Sequence, residues 1–559
     1  MSIQRKLLVC TLATGLALSA FPSQAFMAPA TPAVAASPGA WAAGQTPANG
    51  SADKPVILFV HGLTSQAKVW YENNDMYEYA YNNGYQTAFI NMYDISGTPE
   101  DMWKDGELLA AKIKEISQYF GKKIVIVAHS KGGVDTESAL VRYNAYPYVN
   151  RVITLSTPHH GSQLADLAYS SWAGWLADLV GSQSPGTNSL QTSNMTYFRS
   201  EMAKDPDVNK VPFYTLSGNK WSGSGKSSYT FGGAYLALFG SNDGVVTTES
   251  ALRPNSTLIQ MGPWNHATVR TGSYTFDLFK SYIGNAGVRA AALSSASVGS
   301  SVYGDVYASP SSSLPTVDMS GSGLAASSQP SLQSTAAGSA ASTNYGQYYV
   351  RGGEYKGTAT ETLTVEDHVK SITLDWITNQ PIDELRLISP QGKVRHVQIS
   401  TDRDEEIFKG AYHQVTELKN PEAGEWQVQA VSHQSGAYLM TAIYAPGTEK
   451  AHMNASFSGQ SLDMTINTHG LDTEQTTLTS KVEYYDAQGK RIAPAAESHR
   501  SLSANSVEES LPVPDSGQAS NYVITTDVEG KTATGAPYKR TLIKSVYVDA
   551  AGHTYSQQD

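Results

Sequence analysis

Lys123-Ile124-Val125-Ile126-Val127-Ala128-His129-Ser130-Lys131-Gly132-Gly133 is the stretch that decides how this 559-residue chain reads. The β-branched apolar run predicts a buried strand, and residues 134–143 predict a helix directly after it. Strand, sharp turn and helix with a serine at the apex form a nucleophile-elbow pattern, with Ala128 where the first glycine more often stands. Small residues at 128 and 132 suit so tight a turn, because a larger side chain would strike the neighbouring strand or helix. Strain in the turn would hold the Ser130 hydroxyl out of the strand end. The Lys131 N–H, opening the helix, would face a developing oxyanion. An ordinary strand-to-helix loop with a serine in it fits the same residues, so the flanking chain has to decide.

Upstream, Pro55 to Val60 predicts a buried strand running into His61-Gly62-Leu63-Thr64. A His-Gly turn after a first core strand is where a second oxyanion donor would stand, here the Leu63 N–H. Residues 76–83 have helical spacing, 85–91 resemble a strand, and 101–120 form an amphipathic pattern with Leu108, Ile113, Ile116 and Phe120 among its apolar positions. This alternation predicts an α/β fold, a mostly parallel sheet with crossover helices. Downstream, 149–155 is the next strand, ending in Ser156-Thr157-Pro158-His159-His160-Gly161-Ser162. Leu164, Leu167, Ala168, Trp172, Trp175, Leu176 and Leu179 then recur at helical spacing, before a Gly, Ser, Thr and Asn-rich run to about 194. An apolar helix flanked by such residues predicts a lid or pocket wall, with Trp172, Trp175 and Leu176 as candidates, against the plainer reading of a core helix. Residues 211–217 and 256–261 are the last strands. Between them 236–240 leads into Ser241-Asn242-Asp243-Gly244, and the final strand ends in Gly262-Pro263-Trp264-Asn265-His266.

An acid after one strand and a histidine after the next complete a possible triad. A serine hydroxyl needs an imidazole to take its proton and a carboxylate to fix the imidazole's tautomer. In this strand-and-helix order the sequence runs Ser, acid, His. Only His159, His160 and His266 follow Ser130 in this region, and the first two precede any acid placed at a later strand end. His266 is therefore the expected base, with His159 and His160 shaping the pocket through ring hydrogen bonds. Asp243, in an Asn-Asp-Gly turn, is the expected acid; Asp205, Asp207 and Glu249 follow strands less cleanly. Ser130 would attack a carbonyl, and the Leu63 and Lys131 amides would hold the oxyanion. No cofactor is needed, and no His, Cys, Asp or Glu cluster has metal-ligand spacing. A structural calcium on scattered carboxylates and carbonyls stays compatible with the composition.

These residues resemble the α/β-hydrolase superfamily, and more narrowly the secreted bacterial lipases and esterases whose elbow reads Ala-x-Ser-x-Gly, here Ala128-His129-Ser130-Lys131-Gly132-Gly133. Val60-His61-Gly62, Thr157-Pro158-His159-His160-Gly161-Ser162, Asp243-Gly244 and Trp264-Asn265-His266 support the resemblance, which spans 54–284, under half the chain. It implies hydrolysis of carboxylic esters, acylglycerols or similar lipid esters foremost. Lys131 departs from the pattern, since these lipases more often carry an apolar residue there.

The remaining sequence sets the frame. A formal net charge of −11 argues against nucleic acid or an anionic membrane as main partner. Residues 1–25 read as a secretory signal: Arg5 and Lys6, an apolar stretch from Leu7 to Ala20, and Ser23-Gln24-Ala25 for cleavage. Its removal would take away Cys10, the only cysteine, so no intramolecular disulfide is expected, and a secreted, extracellular bacterial enzyme is the expectation. No second long apolar run predicts a membrane span. Residues 26–53, rich in Ala, Pro and Gly, read as a flexible leader to a hydrolase domain at 54–285. Residues 286–345 read as a Ser/Ala/Gly linker, with a little strand near 302–307. Alternating patterns then predict two β-sandwich-like domains, 346–447 and 448–559, the second Ig-like in pattern. Ile372, Leu374 and Trp376, then Trp426, Val428 and Ala430, mark the first; Tyr484 to Gly489, 522–527 and 542–548 mark the second. Their eight histidines are scattered as surface histidines would be. The two units would bind an insoluble polymer or cell surface, or serve structure alone. Two alternatives stand beside the lipase reading: a polyester depolymerase of polyhydroxyalkanoate type, and a non-catalytic surface-binding protein on a hydrolase scaffold.

Overall fold

The computed structural model describes residues 28–97, 99–221, 227–284, 348–404, 407–445, 450–458, 461–492, 496–513 and 517–557. The expected signal segment, and the linker with its short strand, lie outside these residues. The first unit is built on a seven-stranded sheet: β1 (Trp41–Ala43), β2 (Val56–Val60), β3 (Thr87–Ile90), β4 (Ile124–His129), β5 (Val149–Leu155), β6 (Phe213–Gly218) and β7 (Thr257–Gly262), in spatial order β1-β3-β2-β4-β5-β6-β7. All pairings are parallel except β1 with β3. Both faces of the sheet are covered, which is why β2 and β4 are unbroken apolar runs. Leu58, Val60, Ile124 and Ile126 pack on one face; Ile57, Phe59, Val125 and Val127 pack on the other.

Nine helices accompany the sheet among the described residues: α1 (Met76–Asn82), α2 (Met102–Phe120), α3 (Lys131–Val141), α4 (Gln163–Ala168), α5 (Gly174–Leu179), α6 (Pro185–Ser189), α7 (Thr192–Lys204), α8 (Ser227–Leu236) and α9 (Gly272–Ile283). Helix α2 begins where Asp101 accepts the Trp103 and Lys104 amides at 2.9 Å, and stops at Gly121, whose φ of 65° suits a residue without a Cβ. Leu109, Ile113 and Ile116 face the sheet core; Leu108 instead meets the segment around Gly39.

Three expectations change. Residues 28–53 are not a loose leader: Trp41–Ala43 extends the sheet antiparallel to β3, and Trp41 packs edge-on against Tyr119 while donating to Glu115 at 2.7 Å. The single apolar helix expected over 164–180 is two short ones, α4 and α5, separated at 169–173. Asp243 does not follow a strand: α8 runs to Leu236, and a turn carries the chain to it.

The C-terminal part is all antiparallel. β8 (Tyr348–Val365), β9 (Ser371–Thr378), β10 (Glu384–Ile388), β11 (Val394–Val397), β12 (Tyr412–Lys419) and β13 (Gly424–Ala445) form one six-stranded sheet. The β8–β13 ladder shifts register between Val431 and Ser435, and the two halves close on a shared core containing Leu363, Leu385, Val428, Leu374, Trp376 and Met440. The second unit combines a three-stranded sheet of β14 (Ala451–Ser458), β15 (Ser461–Thr468) and β18 (Ser506–Pro512) with a five-stranded one. The latter holds β16 (Thr477–Asp486), β17 (Ala496–Ser501), β19 (Ser520–Lys531), β20 (Pro537–Val548) and β21 (Thr554–Tyr555). Among the described residues no helix is long and apolar enough to cross a membrane.

Both β units pack on the first unit. One apolar cluster joins Leu164, Leu167, Leu176 and Phe231 to Tyr348, Val350, Phe408, Leu439, Tyr485 and Val523, among others. The apolar face of α4, α5 and α8 is thereby covered by protein.

Candidate active site

Ser130 sits between β4 and α3 with φ 55° and ψ −136°, a backbone conformation that costs an L-residue energy and persists only where packing imposes it. The packing is visible at two glycines. A Cβ on Gly62 would lie 2.6 Å from Ser130 Cβ, and one on Gly132 would lie 2.3 Å from the His61 carbonyl oxygen. The strained turn lifts Ser130 into a cavity of about 150 Å³ lined by Gly62, Leu63, Thr64, Ser65, His129, Ser130, His266 and Arg270.

His266 and Asp243 meet behind this cavity. His266 Nδ1 lies 2.8 Å from Asp243 Oδ2, with both side chains buried. A carboxylate can only accept, so Nδ1 carries the proton and Nε2 is left as the acceptor. The remaining Asp243 oxygen accepts the amides of Val245 at 2.9 Å and Val246 at 2.8 Å, and the His266 amide donates to the Asp243 carbonyl at 3.0 Å. The expected serine, histidine and oxyanion-loop residue thus share one cavity, with the expected acid directly behind the histidine.

The elbow contains a residue that motif reading passed over. His129 Nε2 lies 2.7 Å from the His266 carbonyl oxygen, and its ring stands edge-on to Trp70. Burial, with the neighbouring His266 adding to it, pushes its pKa well below the usual imidazole range. The ring is neutral and donates through Nε2. Its place inside the motif was the only signal for it.

Lys131 also differs from expectation. Its side chain turns away from the cavity and is fully buried, with Nζ 2.6 Å from Asp105 and 2.9 Å from Asp135. The other candidates lie elsewhere. His159 is buried 3.5 Å from Glu137, and His160 donates to the Leu252 carbonyl at 3.1 Å; burial lowers both to about 4, and neither lines the cavity. The carboxylate bonded to His266 is that of Asp243, not of Asp205, Asp207 or Glu249. The lid candidates do not reach the cavity either. Trp172 Nε1 donates to Asp527 at 3.1 Å beneath the Arg351 guanidinium, Leu176 is in the cluster shared with the β units, and Trp175 is 58% exposed. The β units take up Leu176 and, in part, Trp172, while Trp175 stays exposed. Among the described residues no group of three or more His, Cys, Asp or Glu is placed to hold a metal ion.

Residues 53–172 match the model of the PGAP1-like alpha/beta domain family. The crystal structure of a Bacillus licheniformis lipase, BlEst2, in propeptide form is similar at 33% identity, covering 93% of this chain and 100% of that one, with a TM-score of 0.71. The mature form of the same lipase matches at 47% identity over 44% of this chain and 100% of that one, TM-score 0.42. A metagenomic carboxyl esterase, MGS0156, matches at 22% identity over 39% of this chain and 67% of that one, TM-score 0.30. No curated protein sequence matches.

Proposed function

The chain belongs to the α/β-hydrolase family of lipases and esterases, and we propose that it is an exported enzyme that cleaves carboxylic esters, acylglycerols among them, through an acyl-enzyme on Ser130. The observation that carries this is the His266–Asp243 bond of 2.8 Å on the wall of the cavity that Ser130 enters. Ser130 Oγ bonds to the ester carbon as its proton passes to His266 Nε2. The Leu63 and Lys131 amides hold the oxyanion, each worth about 3–4 kcal/mol of barrier. The bond to the alcohol oxygen then breaks, and the alcohol leaves with the proton from His266. Water, giving a proton to His266, attacks the acyl carbon, and the carboxylic acid departs as Ser130 regains its hydrogen. Asp243 keeps the imidazole in the tautomer both steps require. Export is supported by the basic, apolar and small-residue order of residues 1–25.

The test is a chain-length series of p-nitrophenyl esters with wild type and Ser130→Ala, followed by emulsified triglyceride and polyester film. Turnover should fall to background in the variant, and triglyceride should be preferred to film. Equal rates in both proteins would overturn the catalytic reading; preference for film would move the substrate to a polymer.

A specific set of contacts favours a second role for the β units. Lys409 Nζ donates to the Thr64 carbonyl at 3.0 Å on the cavity wall, and Ser182 Oγ donates to the Ile407 carbonyl at 3.3 Å. The cavity of about 150 Å³ is smaller than the roughly 300 Å³ at which ligand pockets begin. The similar lipase is a propeptide form over nearly the whole length of this chain. We propose that the β units of this chain are a propeptide restraining the catalytic face. Limited proteolysis that removes them should raise octanoate-ester turnover more than acetate-ester turnover; unchanged rates would count against it.

A further inference from the structure

The two amides assigned to the oxyanion come from separate segments, and one buried chain of polar contacts joins them. Lys131 Nζ reaches Asp105 Oδ2 at 2.6 Å and both oxygens of Asp135 at 2.9 and 3.1 Å. The other Asp105 oxygen accepts the Tyr93 amide at 3.2 Å. The next residue, Asp94, accepts the Thr64 amide at 2.8 Å, and the Met92 amide donates to His61 Nε2 at 3.0 Å. Residues 92–94 thus grip the 61–64 segment at two points, one on each side of Leu63, and Asp105 ties that turn to Lys131.

Such a chain is costly to build. Lys131 and Asp105 have no solvent exposure at the side chain, and Asp135 has almost none. Burial opposes the charge on Lys131, but Asp105, Asp135 and Asp94 outweigh it and hold the group as an ammonium. Burying an ion cluster is weak evidence for stability, since apolar replacements often stabilise as well. Its geometry gives it a use: Thr64, held at φ 55°, and Ser130, held at φ 55°, flank the two amides and are both in conformations that relax unless restrained.

We propose that the Lys131 side chain is a positioning residue for ester cleavage: through Asp105 and the 92–94 turn it sets the separation of the Leu63 and Lys131 amides that receive the oxyanion. The proposal rests on the serine-hydrolase reading above. An interaction used only when the oxyanion forms should act on kcat and leave KM nearly alone. Misplacing a reacting group by about an ångström can cost roughly 100-fold.

The test uses the full chain, p-nitrophenyl butyrate, and an alkylboronic acid as a tetrahedral mimic. Lys131→Met should lower kcat by roughly 10- to 100-fold with KM within about threefold, and weaken boronate inhibition in parallel. The K131M/D105N/D135N variant, which removes the buried ammonium and both carboxylates bonded to it, should regain thermal stability without regaining kcat. Asp94→Ala, which cuts the chain at its far end and leaves the lysine in place, should give the same split. Recovery of kcat together with stability in the triple variant would overturn the proposal, as would wild-type kcat in folded Lys131→Met or Asp94→Ala. Should Ser130→Ala retain the wild-type rate, the serine-hydrolase reading fails and this inference with it, a result distinguishable from the others because it requires no change at 131.

Discussion

Glu137 shows what a buried charge demands of its neighbours. It lies on α3, a helix buried along its whole length, between Arg199 at 2.9 and 2.5 Å and Arg253 at 2.9 Å. Burial alone would raise its carboxyl; the two guanidiniums outweigh burial and hold it well below the usual range. Glu137→Gln leaves both cations facing an amide and should cost about 3–5 kcal/mol of stability in chemical denaturation. A depressed carboxyl stabilises the fold above its unfolded pKa near 4.5 and loses that support as pH falls through the folded value, so the variant should also lose part of the wild type's acid sensitivity. His129→Phe keeps a ring against Trp70 but leaves the buried His266 carbonyl without this donor, which should cost about 1–3 kcal/mol of stability in chemical denaturation. The convergence of Ser130, His266 and Asp243 in space was legible because chain order and turn chemistry mark them. Glu137 and Lys131 were not, because sequence periodicity assigns a helix one wet face, and α3 has none; His129 was not, because its partner, the His266 carbonyl, lies 137 residues away.

At the level of elements, strand runs were plain and helix breaks were not. The VILFV of β2 and the IVIVAH of β4 can only be strands covered on both faces. The apolar spacing over 164–180 hid its interruption, because Tyr169 and Ala173 remain buried and keep the pattern hydrophobic through the break. The start of β12 carries a similar surprise. His413, one of the histidines expected at the surface, is buried between Asp375 at 2.6 Å and Asp404 at 3.2 Å. Asp404 in turn accepts the Ile407 and Phe408 amides, shaping the segment that bears Lys409. Burial disfavours the charged imidazole, but Asp375 and then Asp404 outweigh it and raise its pKa to about 10. A raised imidazole supports the fold fully below its unfolded value of 6.5 and loses that support as pH rises through about 10. The thermal unfolding temperature should therefore fall across this alkaline window in the wild type and do so less in His413→Gln. Equal slopes would show that the histidine does not hold the segment.

Across the whole molecule, the β units are fastened to the hydrolase unit by a shared apolar cluster and by polar contacts that sequence could not pair, the partners lying hundreds of residues apart. Asp166 is one. It accepts the Thr192 amide at 3.1 Å and its hydroxyl at 2.7 Å, while Thr192 also meets Ser545 of β20 at 3.1 Å. Burial raises Asp166 to about 6, opposed by the bonds from Thr192 and Ser545 and by the charge of Lys544. A raised carboxyl favours the docked state fully below 3.8 and ceases to as pH rises through about 6. Amide exchange of β20 should be slower at pH 5 than at pH 7 after correction for intrinsic rates, and Asp166→Asn should reduce the difference. A difference of the same size in the variant would assign it to other groups.

Intact-protein mass spectrometry after treatment with a fluorophosphonate, with peptide mapping of the product, puts the proposed chemistry to its most direct trial. Wild type should gain one phosphonyl group on Ser130, Ser130→Ala should gain none, and His266→Ala should react at least 100-fold more slowly. Labelling at another residue, or an undiminished rate without the imidazole at 266, would contradict the proposed nucleophile and its base.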